Sequence, residues 1–313
     1  MSLMSGEPII PRTAVSGGGM PEPEPELTCP IDQYDRYGLV LGCEHAVVYT
    51  NEASEGEKEE ERQQKWDKMV LSWADYAGAS ATRRRAAKLK RRVRKGIPVT
   101  HRGQVWFLMS GGYSAMESHP GEYQDLAFTQ SCPAKVEQQI RLDIGRTITD
   151  HAYFRDLASA GQEALYRVLR AYAVHNRKVA YCQGMSYVAG MFLCQGVNEE
   201  QAFWMFRQFM HAEKYNLCGL YEDGFPLMQR YLDNLTELLQ RDYSEVYKHV
   251  CEKHGVVPLM FAEKWLLTLF MYNWPYKIAL RIWDVVVHEG PAAFFAFALS
   301  VPPPTPSPSF RAP

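Results

Sequence analysis

Apolar residues recur at steps of three and four along most of the chain, the spacing that places them on one face of an α-helix. No segment alternates cleanly between apolar and polar residues over the length of a strand. The pattern therefore predicts an all-α fold, and no internal repeat of fixed length is visible. Two of the stripes are Val136, Ile140 and Ile144, and then Leu165, Leu169 and Tyr172.

Residues 259–272 differ from these stripes because apolar side chains occupy nearly every side of the segment. A helix that is apolar all round is usually enclosed on all sides. We therefore expect a helix buried in the middle of the fold at 259–272.

Composition divides the chain into four parts. Residues 1–58, apart from a short element at 35–40, hold too few apolar residues to offset the entropy of ordering and are predicted to be mostly disordered. Residues 59–94 are predicted to form a helical lead-in with a basic stretch, followed by a helical domain at 95–300. Residues 301–313 are rich in proline, which excludes a helix there.

Charge and cysteine content exclude several classes of protein. The formal net charge of −2 gives the chain no general attraction to nucleic acid. Seven scattered cysteines without a CxxC pair indicate neither a metal site nor a disulfide framework, and their odd number favours a reducing, cytoplasmic setting. No apolar run reaches the roughly 18 residues of a membrane-spanning helix. A phosphate-binding GxxxxGK[ST] loop is also absent, so a nucleotide would have to be held by a partner.

The first candidate functional segment is 140–147, Ile-Arg-Leu-Asp-Ile-Gly-Arg-Thr. On a helix, Asp143 and Arg146 are neighbours three residues apart, so the carboxylate can orient the guanidinium. Gly145 is a poor helix former and is expected to loosen the turn where the arginine projects. The alternative is a solvated arginine at a helix end, stabilised by the helix dipole and a surface ion pair.

The second candidate segment is 181–185, Tyr-Cys-Gln-Gly-Met, in a predicted break between two helices. Gly184 permits a positive φ or a close approach of the backbone to a partner. An amide held beside it, that of Gln183, can orient a water molecule. The alternative is a glutamine that caps a helix end or bonds to the backbone.

The two segments resemble the IxxDxxR and YxQGM motifs of TBC-domain proteins, which are GTPase-activating proteins for Rab-family small GTPases. Matches at 102–106 and 281–284 extend the resemblance over roughly 95–290. The resemblance implies a multi-helix TBC domain that acts in vesicle traffic. Arg146 would be an arginine finger and Gln183 a glutamine finger, both inserted into the active site of the partner. An arginine supplied in this way accelerates GTP hydrolysis by a factor of about 10³–10⁵.

The same resemblance implies supporting roles for Asp143, Thr147, Tyr181 and Gly184. It implies no cofactor and no metal of the chain's own, since GTP and Mg²⁺ would be bound by the partner. Family members often have an aromatic residue and a proline after the Arg-Thr pair, whereas this chain has Ile148-Thr149, so the loop shape of the family is not carried over to these positions, although the arginine is in place.

Four further matches to the family pattern are interpreted as architectural. A buried tryptophan contributes a large apolar area, and a nearby arginine or aspartate can satisfy backbone groups inside the fold. These residues are Arg102, Trp106, Trp283 and Asp284.

The basic stretch Arg83–Lys95 holds nine lysines and arginines among thirteen residues. It could contact an anionic membrane surface, placing the protein at the periphery of endomembranes, or act as a nuclear-import patch. The alternative is a solvated helix face balanced by the acidic residues of 52–61.

The family pattern usually continues through several more helices after Gly290, so we expect the helical domain to lack its last helices. The alternative function is therefore a catalytically impaired TBC domain that serves as a Rab-binding or scaffold module.

Overall fold

The computed structural model describes residues 34–40, 52–78, 81–155, 159–272 and 274–300. All of them belong to one compact unit, 32–313, while a second unit, 1–31, lies outside the described residues. The proline-rich tail 301–313 and most of the segment 1–58, for which disorder is predicted, also lie outside them. Within that segment the structure shows a helix that begins at Glu52.

The predicted all-α fold is confirmed. Regular secondary structure in the described residues is helical, apart from isolated β-bridges that pair Tyr34 with Val40 and Leu39 with His151. Short 3-10 turns cover Trp73–Asp75 and Leu217–Leu220, and π-helical turns cover Asp125–Thr129 and Lys248–Lys253. The α-helices are α1 Glu52–Val70, α2 Arg83–Lys95, α3 Val99–Met109, α4 Gly112–Ser118, α5 Glu122–Gln124, α6 Ala134–Ile144, α7 Ala160–His175, α8 Met185–Leu193, α9 Glu199–His211, α10 Pro226–Asp242, α11 Ser244–Tyr247, α12 Pro258–Thr268, α13 Tyr276–Glu289 and α14 Ala292–Ser300.

Local sequence signals set several helix ends. The Thr82 hydroxyl accepts a hydrogen bond from the backbone N–H of Arg85 at the start of α2, and Gly96 ends that helix with a φ of +115°. Asn198 and Gln201 form a capping box at the start of α9. These helices therefore begin or end at residues that satisfy the free backbone N–H groups or permit the chain to turn.

The core is centred on α7, which packs against α6, α8 and α9. Its predicted stripe is buried, with Leu165, Leu169 and Tyr172 at most 1% exposed. On α6, Ile140 and Ile144 are buried as well. Both predicted stripes therefore face the core, and the last turn of α6 is held firmly against it.

An aromatic cluster joins α13 to the centre of the fold. The Trp283 ring stacks on Trp106 and on Phe209, each with centroids 5.7 Å apart, and meets Phe192 edge-on at 5.3 Å. All four side chains are fully buried. Large rings in such contact contribute more than their buried area alone, so α13 is anchored strongly.

A buried aspartate completes this anchor. Asp284 is 0% exposed, and its Oδ1 accepts hydrogen bonds from Arg102 Nε and Trp106 Nε1, both at 3.0 Å. Its Oδ2 accepts from the backbone N–H of Ile97 at 3.2 Å and from Arg281 Nη1 at 2.7 Å. The architectural interpretation of Arg102, Trp106, Trp283 and Asp284 is confirmed.

The expectation of a helix enclosed on all sides at 259–272 is wrong. Helix α12 ends at Thr268, and Leu259 and Met260 are 49% and 70% exposed. Ala262 and Leu266, further along the helix, are buried. The apolar side chains of this helix therefore lie partly in the core and partly at the surface, and periodicity alone does not distinguish the two.

The short element at 34–40 is a tight hairpin placed beside the loop that follows Arg146. The Val40 N–H donates to the carbonyl of Asp150, and the Gly38 carbonyl accepts from the Ala152 N–H. Leu39 is 2% exposed, so the hairpin is joined to the core.

Candidate functional site

The two candidate segments line the same open cleft, which has a volume of about 630 Å³. One wall comes from the end of α6 and the turn after it, and another from the loop and first turn that begin α8. Helix α12 supplies a third wall through Lys264 and Leu267, and Phe225 lies at the start of α10. The fold thus brings together residues that lie far apart in sequence.

Arg146 projects from the turn directly after α6. That helix ends at Ile144, with Gly145 as its last capping residue, so the predicted loosening of the chain at Gly145 is confirmed. The Arg146 Nε and Nη2 atoms both donate to Asp143 Oδ1, at 3.0 and 2.6 Å. The Arg146 side chain is 59% exposed and that of Asp143 is 2% exposed. The exposed guanidinium of Arg146 is therefore held by the buried carboxylate of Asp143, which raises the pKa of the guanidinium above its ordinary value.

The second oxygen of the carboxylate connects the two segments. Asp143 Oδ2 accepts a hydrogen bond of 2.7 Å from the Tyr181 hydroxyl. Burial, and then this bond to Asp143, raise the pKa of the Tyr181 hydroxyl well above its ordinary value, so the hydroxyl stays protonated as a donor. Because both carboxylate oxygens are engaged, the side chain of Asp143 is fixed in orientation.

Thr147 joins the same segments at a second point. Its hydroxyl lies 2.6 Å from the Asp143 carbonyl and 2.9 Å from Ser186 Oγ, and the residue is 0% exposed. The Tyr187 hydroxyl donates to the Arg146 carbonyl at 3.3 Å. The backbone on both sides of Arg146 is therefore tied to the first turn of α8.

Ile148 explains how the loop continues without the aromatic residue and proline of the family pattern. It takes a φ of +51°, a conformation that is unfavourable for a β-branched residue. Its Cδ1 lies only 2.9 Å from where a Cβ on Gly190 would be. The absence of a side chain at Gly190 makes room for Ile148 in this loop.

Gln183 lies at the mouth of the cleft with its side chain exposed. Gly184 beside it has a φ of +105°, and a Cβ there would lie 2.7 Å from the Leu267 carbonyl. Within the described part of the chain, the Gln183 amide has no hydrogen-bond partner, which disfavours the capping alternative. The side chain is available to a partner, while the backbone that carries it is pressed against α12.

Several residues of the cleft were missed by sequence reasoning. Ser186 and Tyr187 follow the second motif directly, and a serine in an otherwise apolar helix start is a signal that could have drawn attention to them. Phe225, Lys264 and Tyr272 carry no such signal, because only the tertiary fold brings them to the cleft.

The basic residues of α2 are partly neutralised by acidic residues other than those predicted. Lys90 and Arg94 pair with Glu289, and Arg85 pairs with Asp75. In contrast, Glu59 and Glu61 pair with basic residues of their own helix α1. The expected balance of α2 by residues 52–61 is therefore not what the described side chains show.

The described residues include no helix with the length and apolar character needed to cross a bilayer. The chemistry of the cleft follows from its two exposed polar groups. A fixed cation and an unpaired amide can together serve an anionic reaction centre that carries an attacking water, provided that a partner delivers it.

Residues 99–301 match the family model of the Rab-GTPase-TBC domain. The chain is 35% identical over 232 residues to growth hormone-regulated TBC protein 1-A of Danio rerio, covering 74% of this chain and 64% of the relative. It is 32% identical over 272 residues to carabin of Mus musculus, covering 87% and 58%. The chain thus spans less than two thirds of the length of these relatives.

Two solved structures share the fold. The Chlamydomonas flagellar RabGAP TBC domain superposes with a TM-score of 0.61 at 26% identity, covering 85% of each chain. The Ypt/Rab-GAP domain of Gyp1p superposes with a TM-score of 0.60 at 18% identity, covering 77% of this chain and 84% of that domain. At 18% identity the second comparison supports the fold alone.

Proposed function

This chain belongs to the Rab-GTPase-TBC domain family, and we propose that it accelerates GTP hydrolysis by a Rab-family small GTPase. Arg146 would neutralise charge that develops on the transferred phosphoryl group, while Gln183 would position the attacking water. GTP and Mg²⁺ would be bound by the partner, and the chain would need no cofactor of its own.

The observation that carries the proposal is the pairing of an exposed, anchored guanidinium with an exposed, unpaired amide in one cleft. Arg146 is fixed through Asp143, whose other oxygen is fixed by Tyr181. A cation that is already oriented loses little further freedom when it enters the active site of a partner. The Gln183 amide has no competing bond among the described residues.

The test is single-turnover hydrolysis of GTP by a panel of purified Rab proteins. The wild-type chain is compared with Arg146→Ala and Gln183→Ala. We expect acceleration on at least one Rab, a loss of about 10³-fold or more in Arg146→Ala, and a large loss in Gln183→Ala.

Matched controls come from α6. Arg141→Ala removes an arginine that is 52% exposed and pairs with Glu163, and Gln139→Ala removes an exposed glutamine. Both should retain the activity of the wild type. If a folded wild type accelerates no Rab but binds one, the chain is a Rab-binding or scaffold module. Equal losses in the controls and the finger variants would contradict the assigned roles.

A second part of the proposal concerns location at cytoplasmic membrane surfaces. Arg84 and Arg91 on α2 are exposed and form no ion pair among the described residues. Each cation near an anionic surface contributes about 1 kcal/mol. We expect flotation with phosphatidylserine vesicles that weakens with added salt and in Arg84→Gln/Arg91→Gln. Vesicle binding that weakens neither with added salt nor in the Arg84→Gln/Arg91→Gln variant would contradict this contact.

A further inference from the structure

A second cleft, of about 790 Å³, lies between α2, residues 73–78 that precede it, and the junction of α3 with α4. None of its lining residues lines the cleft that holds Arg146 and Gln183. Its volume is in the range of sites that hold small organic molecules. An occupant of this second cleft would therefore not touch the residues proposed for GTP hydrolysis.

One side of α2 forms a wall of the second cleft. Arg83, Ala86, Ala87 and Lys90 all line it, and their spacing of three, four and seven residues places them along one face of the helix. Arg83 and Lys90 are about 10 Å apart along the helix axis, with both alanines between them. The basic stretch therefore presents here a short apolar strip, Ala86 and Ala87, with a cation at each end.

Larger apolar side chains contribute further walls. Trp73 and Tyr76 precede α2, whereas Leu108 and Met109 come from the end of α3. All four are half-buried, so each keeps part of its surface accessible. Because the side chains of the apolar strip are small, they leave room for an apolar group between α2 and these residues.

A cation without a carboxylate partner lies at the same cleft. Lys214 Nζ donates to the carbonyls of Met109, at 3.2 Å, and of Val287, at 2.7 Å, and lies 4.8 Å from the centre of the Tyr215 ring. These partners are neutral, and Lys214 forms no ion pair among the described residues. Burial lowers the pKa of its ammonium group to about 8, with no carboxylate to oppose the shift. An ammonium group has three donors, so the two carbonyls leave one for an anion.

The charge balance of the lining also favours an anion. Among the described residues that line the second cleft, none is an aspartate or a glutamate. Lys90 is already paired with Glu289, which also binds Arg94. In contrast, Arg83 is exposed and forms no ion pair with a described residue. Arg83 and Lys214 are therefore the cations that a ligand can engage.

We propose that the second cleft binds a small amphiphilic carboxylate, with its anionic head at Lys214 and its hydrocarbon body along the apolar strip. One negative charge suits the head, because Lys214 has one donor left and Arg83 adds a second cation. A hydrocarbon body suits the rest of the cleft, since more than half of the lining residues are apolar. A multiply charged anion fits less well, because the apolar walls would remove water from its charges.

The first experiment titrates the whole chain with dodecanoate, below its micelle concentration, by isothermal calorimetry. Dodecyltrimethylammonium has the same chain and the opposite charge, whereas acetate has the same head and no long chain. We expect saturable binding of dodecanoate, and binding of the other two that is weaker by about tenfold or more, since each lacks either the ion pair or the apolar burial. Equal binding of dodecyltrimethylammonium, or no saturable binding of dodecanoate, would overturn the proposal.

The second experiment locates the site with variants. Ala86→Trp fills the apolar strip and Lys214→Gln removes the cation at the head, so each should weaken dodecanoate binding by about tenfold or more. Arg83→Gln should weaken it about two- to fivefold, because this arginine is exposed to solvent. Ala134→Trp and Arg91→Gln change exposed residues outside the cleft, and these matched controls should bind as the wild type does.

Thermal unfolding is measured for each variant, because Lys214 also bonds to the carbonyls of two helices. If Lys214→Gln does not fold, Ala86→Trp and Arg83→Gln still decide the result. Dodecanoate binding that Ala86→Trp leaves unchanged, or that Ala134→Trp weakens equally, would overturn the proposal. A dimer of the free chain that Ala86→Trp abolishes would also overturn it, by assigning the cleft to a second copy. Arg146→Ala should bind dodecanoate normally, which separates this result from that of the GTPase assay.

Discussion

The carboxylate of Asp143, which lies under the proposed arginine finger Arg146, offers the sharpest test of how the site is organised. Asp143→Asn keeps the size and shape of the side chain and removes its charge. Its amide oxygen can still accept from Arg146, and its amide nitrogen can still donate to the Tyr181 hydroxyl. The change therefore weakens the support of Arg146 without opening a cavity or leaving a buried hydroxyl unpaired.

The two bonds that converge on Asp143 Oδ1, at 3.0 and 2.6 Å, share one acceptor atom, and solvent screens the 59% exposed guanidinium, so the expected magnitude is taken as that of a single bond. A hydrogen bond to a charged group contributes about 1.5–3 kcal/mol, and a neutral acceptor about half as much. Loss of about 0.7–1.5 kcal/mol reduces the population of the oriented guanidinium roughly 3- to 12-fold. We therefore expect kcat/KM for the Rab to fall by roughly 3- to 12-fold, far less than the loss in Arg146→Ala.

The assay is single-turnover hydrolysis at several concentrations of the activator, with thermal unfolding measured in parallel. Asp233→Asn, an exposed aspartate on α10, serves as the charge-matched control. Activity of Asp143→Asn equal to that of the wild type would refute the view that the carboxylate orients Arg146. A loss as large as that in Arg146→Ala, with unchanged thermal stability, would also refute it, because orientation alone cannot account for such a factor.

Two further predictions concern stability. Gly184→Ala should destabilise the fold by about 2–4 kcal/mol in chemical denaturation, since its Cβ would meet the Leu267 carbonyl at positive φ; Gly196→Ala, at a φ of +75° with open space around it, should cost only about 1 kcal/mol. Equal costs would contradict the contact with α12. Burial, together with the nearby charges of Lys214, Lys90 and Arg94, lowers the pKa of His288 from 6.5 to about 4, an effect that Glu289 partly opposes. The unfolded chain therefore binds the proton first, and stability should fall by about 1–2 kcal/mol, after allowance for partial solvent screening, as the pH drops from 6.5 to 4. Urea unfolding of His288→Gln should show a flatter dependence in that window, and an unchanged slope would contradict the assignment.

The helical class of the fold follows from local information. The stripes on α6 and α7 are buried as their spacing predicts, because a face of that width must be covered by another element. The spacing does not reveal what covers it. Residues 259–272 show this limit, since a segment that is apolar on nearly every side forms a helix with Met260 largely exposed. Whether an apolar residue faces the core or the solvent depends on neighbours that lie far away in the sequence.

The candidate site, like the fold, could be predicted from the sequence only where its contacts are local. The contact between Asp143 and Arg146 follows from helical geometry, since residues three apart are neighbours on a helix. Nothing local predicts that Tyr181 binds the other carboxylate oxygen or that Thr147 meets Ser186. The contribution of Lys264 and Phe225 likewise depends on how α10 and α12 pack.

These long-range bonds give a physical reason for the two motifs to occur together. Under the proposed mechanism a partner's active site receives a guanidinium and an amide at a fixed separation, although both side chains are exposed. Asp143 sets the direction of Arg146 and is itself held by Tyr181, two residues before Gln183. In the same loop, Gly184 has a positive φ and packs closely against α12. The backbone of Gln183 is therefore positioned relative to the Arg146 guanidinium by buried contacts beneath the cleft, so that changes in these contacts should reduce the proposed activity even where Arg146 and Gln183 are intact.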